Sequence, residues 1–551
     1  MLGISSRFSI PGSLALHALV GSLILAGCGG GGSGATAVEA ASTTAGAATA
    51  AGAASDAAPA SATASSVIAT LPALAASAPA EAASQQTATA SCSMGDFASF
   101  ERPFAPESPW NSRPVAPVLG SATIPTSTYY PSVDSGTWSS AAFKATADDP
   151  AMVVTGTSAN GVWDPDAEIY RPSITIPHWP ANTRPATGGD GHAEIVDTTT
   201  GIVHSFWGLK QVNGAWVTNQ YAWTPLAGRG MGDPAHVQQG ARAAGVSTLG
   251  GLIRIGEVND GDTLYRHALA MSLDFTGLSP NPTYRFPATS ADTSAAKTNS
   301  GQIPMGSLMM LPASFDAQAL ATPELRKVAE TLKKYGAYVV DRNTGTPFVI
   351  YVEIGADFKL HKNGWNTATA NDLDAMRAAM RPLESAAWWV DGNGKTSGFV
   401  TDTALNLLSM RGAWWRTKGP VSGEFDTWRQ ALVFPATTTL IEQANATGRA
   451  MAGVSWSAPT AGDNYRLSLD ATGGATFRMT IADKATGATV YDSGYLSDGQ
   501  TISFPWPAGT SFKVTTWGRS GTGNVESSLK PTLVKVAPTP IGTSSIAACA
   551  S

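Results

Sequence analysis

The chain has 551 residues, which allows two to four domains, and only 14% of them are charged, well below the roughly 25% of an average domain. With 57 glycines and 16 tryptophans it has the profile of a secreted β-rich protein rather than a cytosolic helical enzyme or a coiled coil. Its 35 basic and 41 acidic side chains, with no Lys/Arg cluster, exclude nucleic acid as a partner and leave a carbohydrate-binding enzyme open.

Residues 1–28 have the layout of an export signal: Arg7, an apolar stretch from Leu14 to Leu25, then Leu25-Ala26-Gly27-Cys28. This ending resembles the bacterial lipobox, whose cysteine is lipidated, so Cys28 is expected to carry a lipid anchor. Gly29 after it implies a cell outer membrane lipoprotein facing the periplasm or the exterior. No later run reaches about 18 apolar residues, so no spanning helix is expected. Residues 29–91 are Gly, then Ala/Ser/Thr/Pro without an aromatic residue, which reads as a disordered tether. Cys92 and Cys549 bracket the folded part and are expected to form a disulfide in an oxidising compartment.

From residue 92 to 384 the pattern is short strands between Gly/Pro/Asn/Asp turns, read as a main domain of β-sandwich or jelly-roll type. Expected strands include 151–155, 173–177, 192–197, 202–207, 252–255, 266–275 and 348–353. One helix is well signalled: Thr322 caps it, Pro323 takes the first helical position, Leu325, Val328, Leu332 and Tyr335 form one stripe, and Gly336 stops it before a strand at 337–341. A second helix is expected over 371–380. Residues 385–430 hold Trp388, Trp389, Trp414, Trp415 and Trp428 and read as a connecting segment, its tryptophans sealing a domain contact or stacking on sugar. Residues 431–551 read as a small C-terminal β-sandwich. The fold class is therefore mainly β, with a few helices.

The densest polar cluster is Gly188-Gly-Asp-Gly-His-Ala-Glu-Ile-Val-Asp197, followed by Ile202-Val-His-Ser-Phe-Trp207. A four-residue loop, Thr198–Gly201, makes these a hairpin in which His192 faces Trp207 and Glu194 faces Ser205. Alternation then gathers His192, Glu194, Ser205 and Trp207 on one face, an ionisable pair beside a stacking ring. A second cluster, Thr263 to Met271, offers Tyr265, Arg266 and His267. Strand alternation puts Tyr265, His267, Leu269 and Met271 on one face and Arg266, Ala268 and Ala270 on the other; beside these small alanines the planar fork of Arg266 suits a carboxylate. Asp164, Asp166 and Glu168 form an acidic loop of the kind glycosidases use. Their alternation also points to calcium, although the EF-hand pattern fails; no other cofactor is expected. Trp163, Tyr170, Trp179, Tyr221 and Trp223 are candidates to line a sugar groove. Arg229 and His236 lie in a Gly-rich loop that could cover it. There is no nucleophile elbow, no His-Glu-x-x-His and no phosphate-binding loop. A metal bound by His192, Glu194 and His204 is disfavoured because the side chains divide between two faces.

Ser108-Pro-Trp-Asn111, Gly189 to Asp197, His204 to Trp207, Gly250-Gly-Leu-Ile-Arg254, His267-Ala-Leu269 and Tyr335 to Asp341 together resemble a broad group of secreted bacterial β-rich proteins. That resemblance implies one continuous domain over about 100–355 and transfers no catalytic residue. More loosely, the chain is similar to jelly-roll polysaccharide lyases, though their Arg-Thr-Glu-Leu-Arg strand is absent. This reading expects a lyase that cleaves an acidic extracellular polysaccharide by β-elimination. His192 would be the base, Arg266 the carboxylate neutraliser, Tyr265 or Tyr170 the acid and His267 a further cleft residue. Trp207, Tyr170, Trp223 and Arg229 would bind substrate. Glu194 would orient His192, or act as general acid in a hydrolase that also draws on Asp164, Asp166 and Glu168. A surface carbohydrate-binding lipoprotein without catalysis is the reading from a different class.

Overall fold

A computed structural model describes residues 96–397, 405–445, 449–509 and 511–536. The expected lipidation at Cys28, the tether and the Cys92–Cys549 disulfide lie outside the described residues. The chain is mainly β, and the described residues place its strands in five sheets. Among the described residues no helix is long and apolar enough to cross a membrane.

The sheet that positions the site has six strands. In spatial order they are Ala142–Ala145, Ala193–Asp197, Ile202–Trp207, Gln220–Pro225, Val162–Asp164 and Ile169–Arg171. Its central hairpin turns through residues 198–201, where Gly201 takes a left-handed φ of 71°. Glu194 pairs with Ser205 and Ile195 with His204, the expected register. Both faces of the hairpin are covered. Ala193, Ile195 and Phe206 pack with Trp179 and Tyr221, while Val196 and Val203 pack with Leu226 and Leu249.

An eight-stranded mixed sheet carries the largest core. Leu269–Asp274 and Ala337–Asn343 run parallel at its centre, as buried apolar strands can. The helix Pro323–Lys334 packs on it through Leu325, Val328 and Leu332. Its Thr322 cap accepts from the Leu325 amide, and Gly336 leaves at φ 75°, as expected. The second helix begins earlier than expected, at Thr367–Ala379, because the Asn366 side chain caps it by accepting from the Ala368 and Thr369 amides. Residues 252–255 are not a strand. Ile253 makes a single bridge to Val352, and a 3-10 turn, Ile255–Glu257, follows. The strand expected at 266–275 starts only at Leu269, so the alternation used to sort Tyr265, Arg266 and His267 onto faces does not hold there.

Two five-stranded sheets form the C-terminal sandwich around Phe434, Leu467, Phe477, Met479 and Leu533. The Trp-rich stretch is divided. Arg381–Val390 is a strand of the large mixed sheet, whereas Trp414–Lys418 and Glu424–Asp426 belong to the sandwich. Trp428 stacks on Trp223 at 5.4 Å and 16°, and the Trp223 indole donates to Thr427.

Candidate functional site

A cavity of about 990 Å³ opens where the six-stranded sheet, the 237–243 and 283–293 segments and residues 409–411 and 449–454 of the sandwich meet. One wall is set by the hairpin. Asp190 precedes its first strand and Trp207 ends its second, and the Trp207 indole donates to Asp190 Oδ1 at 3.1 Å. Gly191 bends the chain between Asp190 and His192 with a φ of 47°; a Cβ there would lie 2.7 Å from the Leu209 carbonyl. Trp207 is directly opposite Gln220, and Gln220 is opposite Trp163, so these three side chains share one face and all line the cavity. Tyr170 extends the row beyond Trp163, its ring 5.0 Å away.

His192 is buried with its Nδ1 3.3 Å from the Phe206 carbonyl. A carbonyl only accepts, so Nδ1 carries the proton and Nε2 is the bare nitrogen. Burial, reinforced by the nearby Arg242 charge, pushes His192 down to about 3, which keeps the imidazole neutral at ordinary pH.

Opposite the hairpin, Asp341 ends the buried run of its strand and Arg242 donates to its Oδ2 at 3.1 Å. The Arg242 guanidinium lies 3.8 Å from the Tyr351 ring centroid, and its side chain is only 2% exposed. Asp341 is pushed up to about 7. Burial is the main cause; the Arg242 charge opposes it, and the carboxylates of Asp292 and Asp190 add to it. Asp292 is itself raised by burial, with Arg342 3.8 Å away. The cleft therefore holds a carboxyl that keeps its proton close to neutrality, a second and half-buried carboxylate, a neutral imidazole and a row of rings. Such a pair can donate a proton to one oxygen while the other carboxylate acts at the neighbouring carbon or on water.

No protein-family model matches this chain, and neither does any curated protein. Similar solved structures include the TmCBM61 module in complex with β-1,4-galactotriose: 8% identity over 22% of this chain and 88% of that one, TM-score 0.16. A mutant of CBM29-2, a family 29 carbohydrate-binding module, is 9% identical over 25% of this chain and 94% of its own, TM-score 0.15. The accessory secretory protein complex of Streptococcus pneumoniae is 10% identical over 19% of this chain and 86% of that chain, TM-score 0.14. At these scores the likenesses carry no argument about the site.

Of the residues expected from sequence, the cleft brings together His192, Trp207 and Trp163, with Tyr170 next to them. It does not bring in Glu194. That carboxylate is fully buried under residues 247–248 and accepts from the hydroxyls of Ser205, Ser247 and Thr248 and from the Thr248 amide. It neither touches His192 through a hydrogen bond nor opens to solvent, so its role is structural.

Tyr265, Arg266 and His267 also stand apart from His192. Arg266 and His267 line a separate cavity of about 40 Å³ with Arg254 and Glu257. Tyr265 is buried in the large core, with the Lys327 ammonium 4.6 Å from its ring centroid. His267 Nε2 is 3.1 Å from Glu257; burial opposes its charge, but that carboxylate outweighs it and the pKa is raised. Arg266, with its side chain 54% exposed, pairs with Asp262 at 2.9 Å. Replacing Arg266 by Ala is accordingly expected to leave any cleavage rate within about twofold of wild type, checked by initial rates, since exposed pairs contribute little.

Trp223 is a buried joint to the sandwich rather than a groove wall. Arg229 lies over Phe286 at 5.9 Å, outside the cleft lining. Asp164 is held by Arg171 and Asp166 by Gln430, which leaves neither as a free catalytic carboxylate. Glu168 does line the cleft, where Arg411 at 2.8 Å and Arg449 pair with it from the sandwich. Among the described residues no group of three or more His, Cys, Asp or Glu is placed to hold a metal ion. Sequence reasoning missed Asp190, Arg242, Asp292 and Asp341 as site residues. Asp341 carried a usable signal, a carboxylate closing an apolar strand directly after a helix.

Proposed function

We propose that this chain hydrolyses a glycosidic bond of an extracellular glycan in the cleft, with Asp341 as the acid and Asp190 as the second carboxylate. The observation that carries the reading is Asp341, pushed up to about 7 in the same cavity as Asp190. Glycoside hydrolysis needs one carboxyl that is protonated when the leaving oxygen departs and another that acts on the opposite side. Trp207 and Trp163 supply ring faces for sugars, Gln220 between them supplies hydrogen bonds, and neutral His192 offers an acceptor to a hydroxyl. Arg242 positions Asp341 by its hydrogen bond, while burial, helped by the Asp292 and Asp190 charges, keeps the carboxyl protonated against the Arg242 charge.

β-Elimination is the second reading, favoured by one observation: a neutral imidazole with a buried guanidinium beside it, base and carboxylate neutraliser respectively. A base held at about 3 is poorly matched to neutral solution, so hydrolysis is preferred. The Leu25–Cys28 sequence supports placing the enzyme on the outer membrane, where polymeric substrates are met.

The test is to incubate the protein with acidic and neutral polysaccharides, following reducing ends together with ultraviolet absorbance from new C=C bonds. Hydrolysis predicts reducing ends alone. A matching rise in absorbance would replace it by β-elimination. Glycan retained on an affinity gel without either product would leave only a binding lipoprotein.

A further inference from the structure

Trp138 is 47% exposed, yet it is seated. A Cβ on Gly188 would lie 2.7 Å from its Cε3, and one on Gly189 about 4 Å from its ring. Neither glycine takes a left-handed backbone, so no φ demands them. Gly188 instead leaves room for the Trp138 ring and for Thr137, whose carbonyl accepts from the Gly188 amide at 3.1 Å. The same short run leads into Asp190, the carboxylate that receives the Trp207 indole. Trp138 precedes the edge strand Ala142–Ala145, which pairs with Ala193–Asp197. On the far side of Asp190 come Trp207, Gln220, Trp163 and Tyr170, one from each successive strand in direct register. With strands about 4.8 Å apart, Trp207 to Tyr170 alone spans about 14 Å, too far for one sugar ring to touch both ends.

We propose that the substrate is a glycan chain lying across the strands of this sheet, with Trp138 holding a sugar on one side of Asp190 and the Trp207–Trp163–Tyr170 row holding sugars on the other. This rests on the functional reading above and deepens it. The enzyme holds several consecutive sugars of a polymer rather than a single sugar. Three features identify a glycan as the occupant. Hydrogen-bonding side chains, Asp190 beside Trp207 and Gln220 between Trp207 and Trp163, are interspersed among the rings. The middle of the track, Trp207, Gln220 and Trp163, lines the acid-base cleft with Asp190 and Asp341. Indoles present flat apolar faces that suit the C–H faces of sugar rings.

The experiment measures binding and cleavage by the full chain of hyaluronan, alginate, xylan and galactan and of their tri- and hexasaccharides, for wild type, Trp138→Ala and Trp138→Phe. Because Trp138 lies at the surface, both variants should fold, which thermal melting confirms. The expected result, on the polymer that wild type cleaves, is a loss of about tenfold in hexasaccharide affinity for Trp138→Ala. Trisaccharide affinity should not change, and Trp138→Phe should restore most of the loss. Equal losses for both lengths, or none for either, would overturn the chain-length assignment while leaving hydrolysis standing. Wild type that neither binds nor cleaves any of the four polymers would overturn both.

Discussion

Asp341→Asn is expected to lower the release of reducing ends by about a thousandfold while glycan retention stays within about threefold of wild type. General acid-base catalysis contributes about 10²–10⁴-fold, and Asn cannot donate the proton. The variant is isosteric with the protonated carboxyl, the form favoured below about 7, so the fold around it should be preserved. Arg242 still has an amide oxygen to donate to. Affinity gels and rates on the same preparation check the two halves of this expectation. Loss of binding in step with loss of rate would instead make Asp341 a substrate contact.

Glu194→Ala is expected to show the opposite pattern, a collapse of stability. Four donors converge on this fully buried carboxylate: two serine hydroxyls and both the hydroxyl and the amide of Thr248. Each buried donor left without a partner costs about 1–3 kcal/mol, so the loss should exceed about 4 kcal/mol. That is a large part of the roughly 5–15 kcal/mol by which domains are stable. Glu194→Gln keeps an acceptor, and its amide can donate to serine oxygens, so it should fold with a smaller loss and retain catalysis. Urea denaturation of the three proteins, with rates on the folded fraction, provides the check. An inactive but fully stable Glu194→Gln would return Glu194 to the catalytic set.

The local part of the architecture was legible in the sequence, because short-range chemistry specifies it. The 198–201 loop, the Glu194–Ser205 register and the Thr322-capped helix all follow from residues close in the chain. The site was less legible. Arg242 and Asp341 are 99 residues apart, and only the packing of the loop around Arg242 against the strand Ala337–Asn343 brings them together. Glu194 does lie on the hairpin face expected for it, but residues 247–248 cover that face, which no periodicity within the hairpin encodes. Arg266 and His267 were sorted by strand alternation in a stretch where the strand has not yet begun. Trp223 read as a groove residue because an aromatic at a domain joint and one on a sugar platform look alike in sequence.

The pH dependence of kcat/KM for reducing-end release tests the central assignment most directly, since it reports the ionisations of the free enzyme. Asp341 acts in its protonated form and is raised to about 7, so its active form is present below that value and lost above it. The expected profile falls with rising pH through a midpoint of about 7, and Asp341→Asn abolishes that limb. A rate that instead climbs through pH 7 and is sustained at pH 9 would contradict an acid at Asp341.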